Sequence, residues 1–124
     1  MQWLLIADDE TTICFALDDY FTLHGFRVDC VQRIEDAFEL LKSKNYAAAI
    51  IDLRLAGTDN FDGLKLLQRI REISPLTRCV VLTACESVEV EAEALKIGAD
   101  VFMRKPKPLS ELAEVIFDLL GREK

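Results

Sequence analysis

The chain has 124 residues, enough for one hydrophobic core and too few for two. Hydrophobic residues make up 51% and charged residues 30%, a balance that excludes a disordered tail. With 15 Lys and Arg against 22 Asp and Glu, the net charge is −7, which argues against direct binding of nucleic acid.

Short apolar runs at Trp3–Ala7, Phe26–Val31, Ala47–Leu53, Cys79–Thr83 and Val101–Arg104 predict five strands. Helical spacing fills the gaps between them. Ile13, Ala16, Leu17 and Tyr20 share one face, and Ile34, Ala37, Phe38 and Leu41 another. Gly63, Leu66, Leu67, Ile70 and Ile73 form a third stripe, and Val88, Ala92 and Leu95 a fourth. Leu109, Leu112, Ala113 and Ile116 form the last, after Pro106 and Pro108 have barred an earlier start. Gly25 and Gly98 stand where helices one and four end, and Ser74-Pro75 ends the third.

Strict alternation of strand and helix predicts an α/β fold, a parallel sheet with helices on both faces. Strands one and three are almost wholly apolar, as strands covered on both faces must be. Phe26-Arg27-Val28-Asp29-Cys30 alternates and suits an edge; the short last strand suits the other. The result is a doubly wound, flavodoxin-like order 2-1-3-4-5, with a crevice at the carboxyl ends of strands one and three. The sequence contains no repeat or linker, so residues 1–124 read as a single domain. No apolar run nears the roughly 18 residues of a membrane span, and no basic region opens a signal peptide. A cytoplasmic location is expected. Cys14, Cys30, Cys79 and Cys85 form no C-x-x-C pair and, with the single His24, no zinc set. They read as reduced, mostly buried small hydrophobes.

The strand ends carry the polar residues that matter. Strand one runs into Asp8-Asp9-Glu10, strand three into Asp52, strand four ends at Thr83, and strand five meets Lys105-Pro106. Singly, Asp8, Asp9 and Thr83 could be helix caps, Asp52 a turn former and Lys105 a solvated lysine. Together they place three carboxylates, a hydroxyl and an ammonium around one crevice. Like charges about 4 Å apart repel by roughly 4 kcal/mol at an effective dielectric near 20. Such a nest takes up a proton or a cation. All-oxygen ligands with access to water suit Mg²⁺, with Mn²⁺ as an alternative. A carboxylate beside such an ion can attack phosphorus, while Lys105 and Thr83 stabilise the phosphoryl oxygens.

Asp8-Asp9, Asp52, Thr83-Ala84, Gly98-Ala99-Asp100 and Lys105-Pro106 resemble, as a set and across the whole chain, the receiver domain of two-component response regulators. The resemblance implies that Asp52 accepts a phosphoryl group from a histidine kinase or histidine phosphotransfer protein. Asp9, Asp52 and the backbone carbonyl of Arg54 would ligate Mg²⁺, with Asp8 acting mainly through water. Lys105 and the Thr83-Ala84 segment would contact the phosphoryl group, and the Lys105–Pro106 bond would be cis. Thr83 and Phe102 would form the switch, read out by a downstream target or output domain on the fourth helix, fifth strand and fifth helix. Homodimerisation on activation would be one form of readout. Catalysis would extend only to the domain's own phosphorylation and dephosphorylation.

The resemblance has departures. Ala56 replaces the family's usual proline, and Asp62-Gly63 lies three residues late. Asp59-Asn60 at the usual spacing, with the extra residues falling later, is the other alignment. The loop after Asp52 is read as extended because Asp62 then caps a helix that begins at Gly63. Together with Arg54, this loop is expected to affect phosphate lifetime. The run Glu86, Glu89, Glu91 and Glu93 is either a solvated face or a surface for a basic partner. Competing readings are weaker. An aspartyl-nucleophile phosphatase of the haloacid-dehalogenase kind needs an acid where Arg54 stands. A nucleotide or flavin binder needs a Gly-rich first turn, and Ala7-Asp8-Asp9-Glu10-Thr11 has none. A receiver-shaped scaffold that never meets phosphate is the third.

Overall fold

The computed structural model describes residues 2–57 and 61–121. Its elements alternate as β1 (Trp3–Ala7), α1 (Thr11–Leu23), β2 (Arg27–Val31), α2 (Ile34–Leu41), β3 (Ala48–Ile51), α3 (Asp62–Ile73), β4 (Arg78–Thr83), α4 (Val88–Ile97), β5 (Val101–Arg104) and α5 (Leu109–Leu120). All strand pairs are parallel, in the order β2-β1-β3-β4-β5. The expected edges and centre are therefore the observed ones.

The two-residue period of a strand divides the core. Leu5, Ala7, Ala49, Ile51 and Val81 face a layer supplied by α2, α3 and α4, including Ala37, Leu66, Leu67, Ile70 and Ala94. Leu4, Ile6, Ala48, Ile50 and Val80 face α1 and α5 through Leu17, Phe21, Leu112, Ala113, Ile116 and Phe117. β1 and β3 are covered on both sides, which explains their lack of polar alternation.

Several sequence expectations need correction. β2 starts at Arg27, one residue after Phe26, and β3 is confined to Ala48–Ile51. The backbone nevertheless stays in register beyond β3, where Asp52 N–H donates to the Ala7 carbonyl at 2.8 Å. The fourth helical stripe points the other way: Val88 is 72% and Leu95 45% exposed, while Ala94 is buried and Val90 and Ile97 pack on the core. Both sets repeat at intervals of four and three, so periodicity could not separate them. Ala16 and Ile73 are likewise exposed, their expected places in the core being taken by Cys14 and Phe21 in α1 and by nothing beyond Ile70 in α3.

Asp62 is the first residue of α3 and not its cap; Phe61 occupies the cap position and makes no side-chain cap bond. Asp62 is buried and pairs with Lys65 at 3.4 Å. Gly63 has a steric reason to be glycine. A Cβ there would lie 2.4 Å from the Asp52 carbonyl oxygen and 2.5 Å from Leu53 Cα, both backbone atoms. Thr58 to Asn60, in the segment read as an extended loop, lie outside the described residues.

Candidate functional site

Parallel strands direct their carboxyl ends to one edge, and the polar residues gather there. Asp8 follows β1, Asp52 follows β3, Thr83 ends β4 and Lys105 follows β5. Asp8, Asp52 and Thr83 are buried, whereas Asp9 and Glu10 are exposed. Neither Asp8 nor Asp9 caps α1: the cap position is Glu10, without a side-chain bond. Thr83 does not cap α4 either, because Ser87 does so by accepting from Val90 N–H at 3.2 Å. The cap explanations for Asp8, Asp9 and Thr83 thus fall away.

Lys105 is the centre of the arrangement. Its Nζ lies 2.9 Å from Asp8 Oδ2, 3.0 Å from Asp52 Oδ2 and 3.4 Å from Glu10 Oε1. The second oxygens are also engaged: Asp8 Oδ1 accepts from Glu10 N–H at 2.9 Å, and Asp52 Oδ1 from Arg54 N–H at 3.2 Å. Burial pushes the Asp8 carboxyl up to about 6, against the Glu10 N–H and Lys105, which favour its charge. Burial alone would lower the Lys105 pKa, but Asp8 and Asp52 outweigh it and hold the ammonium above its usual range. Burial thus outweighs the single ammonium, and Asp8 retains a proton well above the normal carboxylate range, with the neighbouring Asp52 charge adding a smaller push in the same direction.

Oxygen atoms of Asp8, Asp9, Glu10 and Asp52 lie within 4.8 Å of one another. This hard, acidic donor set fits a small divalent cation that keeps several waters. Glu10 was not singled out by the sequence. Its adjacency to Asp8-Asp9 was the available signal, but its approach to Lys105 depends on the fold. Asp9, Glu10, Asp52, Arg54, Thr83, Ala84 and Cys85 line a cleft of about 280 Å³. A larger apolar hollow of about 450 Å³, between α1 and α5, shares Glu10, Ala84 and Lys105 with it. The acid chemistry belongs to the smaller cleft, where the carboxylates open to solvent.

Thr83 Oγ1 accepts from Cys85 N–H at 3.3 Å. Ala84 is exposed at the rim. Arg54 is exposed too, its guanidinium 5.0 Å from the Phe61 ring centre. The Lys105–Pro106 peptide is cis, as the resemblance implied. Phe102 stands apart from the cleft; it is half-buried against the α2–α3–α4 layer, with the Arg104 guanidinium 5.2 Å from its ring centre. Asp100 supports the adjacent strands by accepting from Cys79 N–H at 2.8 Å.

Comparison with known proteins agrees with this geometry. The family model described as the response regulator receiver domain matches residues 4–117. The transcriptional regulatory protein TctD of Salmonella typhimurium is 35% identical over 119 residues, covering 96% of this chain and 52% of TctD. The chain thus spans about half the length of that relative. The structure of a CheY-like receiver domain protein from Methanospirillum hungatei aligns with a TM-score of 0.91 at 24% identity, covering 98% of this chain and 94% of that one. A response regulator from Burkholderia pseudomallei, solved with a phosphorylated aspartic acid, calcium ion and citrate, aligns with a TM-score of 0.85 at 25% identity over 94% of this chain and 66% of that one. With a family match from the first strand to the last helix, the chain belongs to the receiver domains of two-component response regulators.

Proposed function

We propose that Asp52 is the phosphoacceptor of this receiver, that the whole of residues 1–124 works as one such unit, and that it acts in the cytoplasm. The observation that carries the reading is the shared ammonium: Lys105 bonds Asp8 and Asp52 together inside an acidic nest that opens to solvent. A phosphorylated aspartate in the Burkholderia relative is consistent with it.

Asp9, Asp52 and the Arg54 carbonyl hold Mg²⁺ or Mn²⁺, with Asp8 acting through water; the ion supplies charge neutralisation for the incoming phosphoryl group. An Asp52 oxygen attacks phosphorus as the nitrogen–phosphorus bond of a phosphohistidine breaks, and the bonding electron pair stays with the imidazole. Lys105 pairs with the phosphoryl oxygens, and the Thr83 hydroxyl and Ala84 N–H donate to them. Phosphorylation adds about −1.5 to −2 charge, which draws Thr83 inward from β4 and lets Phe102 follow on β5. The phosphoryl donor is a histidine kinase or histidine phosphotransfer protein. The target or output domain reads α4, β5 and α5, in some cases by homodimerisation, and the exposed Val88 and Leu95 supply apolar contact area there.

Intact mass after incubation with a small acyl phosphate and Mg²⁺ tests the assignment. Wild type gains one phosphoryl group only when Mg²⁺ is present, and Asp52→Asn gains none. Equal labelling of the two proteins removes Asp52 from its role.

A further inference from the structure

Behind the acidic nest, on the α1 side of the sheet, two thiols meet. Cys14 of α1 and Cys30 of β2 line the same small hollow there. Cys30 Sγ also lies 3.5 Å from the Cys14 carbonyl oxygen, and Gln32 Nε2 donates to Cys14 Sγ at 3.5 Å. Sixteen positions separate the cysteines in sequence, which is why no spacing motif announced them. Cys14 is buried, but Cys30 is only partly so, and both line a hollow of about 180 Å³ closed by Thr11, Phe15, Asp18 and Gln32. A small oxidant can reach that hollow. Every one of the four cysteines is a free thiol.

The pair also touches the site. Cys14 Sγ–H donates to the backbone carbonyl of Asp8 at 3.5 Å, at the turn that presents the Asp8 carboxylate to Lys105. We propose that Cys14 and Cys30 form a reversible intramolecular disulfide, a modification site that weakens divalent-cation binding at the acidic nest. The chemistry balances with a hydroperoxide as oxidant. The two thiols give up two electrons and two protons, the S–S bond forms, the peroxide O–O bond breaks, and hydrogen peroxide leaves as two waters. In a reducing compartment the bond is transient, and small thiols reverse it by exchange. Oxidation removes the only S–H at Cys14, so the Asp8 carbonyl loses that donor and the turn carrying the carboxylate relaxes.

The coupling to cation binding rests on the site assignment under Proposed function; the disulfide itself does not. Treatment with stoichiometric hydrogen peroxide, followed by intact mass and non-reducing peptide mapping, tests the bond. The expected result is loss of two hydrogens and a peptide linking Cys14 to Cys30, reversed by dithiothreitol. A link to Cys79 or Cys85, a link between two chains, or unchanged thiols overturns the proposal. Titration with Mg²⁺ alone then compares the reduced and oxidised forms. Affinity falls about fivefold on oxidation, equivalent to about 1 kcal/mol, and Cys30→Ser, which keeps the Cys14–Asp8 contact, shows no peroxide effect. Equal affinity in the two forms overturns the coupling. A disulfide formed in a protein that binds no Mg²⁺ in either form overturns the site assignment and leaves the thiol pair standing.

Discussion

Arg104 Nη2 on β5 lies 2.6 Å from Glu91 Oε1 on α4, while Arg104 Nε donates to the Cys85 carbonyl at 3.3 Å. One guanidinium thus ties α4 to the segment that follows Thr83, beside Phe102. Both side chains are about a third exposed, so the pair contributes modestly: a double-mutant cycle with Glu91→Gln and Arg104→Gln should give a coupling below about 1 kcal/mol. The structural effect should be larger than the energetic one. In Arg104→Gln, amide exchange should quicken across the start of α4 while the core strands stay protected. Unchanged exchange at residues 85–91 would show that the tie does not restrain this region.

Asp8 makes the metal-free protein sensitive to pH. Its carboxyl is raised from 3.8 to about 6. Below 3.8 it is protonated in both folded and unfolded chains, and above 6 it is ionised in both. Between the two, the folded chain holds the extra proton, so stability declines as pH rises across that window. The loss is about 3 kcal/mol at 1.36 kcal/mol per unit. Asp8→Asn should therefore match wild type near pH 4 and exceed it by about this amount at pH 7 in urea melts without divalent ions. A gap that does not widen with pH contradicts the burial argument.

Gly63 packs against the backbone of the Asp52 segment, so Gly63→Ala should act on both stability and site geometry. The new methyl meets the Asp52 carbonyl oxygen and Leu53 Cα, neither of which can swing away as a side-chain tip would. Overpacking of this kind costs about 1–3 kcal/mol, read as a lower urea midpoint with an unchanged slope. Weaker Mg²⁺ binding should accompany it, because the Asp52 backbone must shift. A variant with wild-type midpoint and affinity contradicts this contact.

The sequence was most legible where burial leaves only one solution. β1 and β3 are apolar on both faces because they are covered on both faces, and that, with the alternation of β2 and the shortness of β5, ordered the sheet. It was least legible on α4, where Val88-Ala92-Leu95 and Val90-Ala94-Ile97 offer equivalent stripes, and only docking on Ala94 chooses between them. Glutamates at 89, 91 and 93 straddle both stripes and do not distinguish them. The acids and lysine of the site could be read because each lies at a strand end, a position that topology projects to one edge. Glu10 joining Lys105 and the meeting of Cys14 with Cys30 could not be, since both depend on how α1 is set against the sheet.

Arg54 sits at the cleft rim with its guanidinium over Phe61, which itself packs on the core. Held there, it shares the cleft with Asp52 and would border the approach of water if Asp52 is phosphorylated as proposed. Phe61→Leu, which removes the ring face but keeps an apolar group, should release Arg54 and shorten the phosphate lifetime. Arg54→Ala should do the same, by about fivefold, or about 1 kcal/mol in barrier. Dephosphorylation followed by intact mass measures both. If Arg54→Ala shortens the lifetime and Phe61→Leu does not, the stacking is incidental; if neither does, Arg54 does not guard the site.

Lys105 is the only cation bonded to Asp8 and Asp52 among the described residues, and its side chain is only 11% exposed. Lys105→Met leaves two buried carboxylates facing each other without it. Removing one partner of a buried ion pair typically costs about 3–5 kcal/mol, and the lower end is expected because the nest opens to water and Asp8 can protonate. Mg²⁺ should reverse most of that loss, since it supplies the missing charge, and should bind more tightly than to wild type because no ammonium competes for the same oxygens. Phosphorylation should nevertheless fall sharply, since the group proposed to pair with the phosphoryl oxygens is gone. Urea melts with and without Mg²⁺, run beside phosphorylation by a small acyl phosphate, separate these effects. A variant that Mg²⁺ fails to restabilise shows that Lys105 holds the site by packing and not by charge.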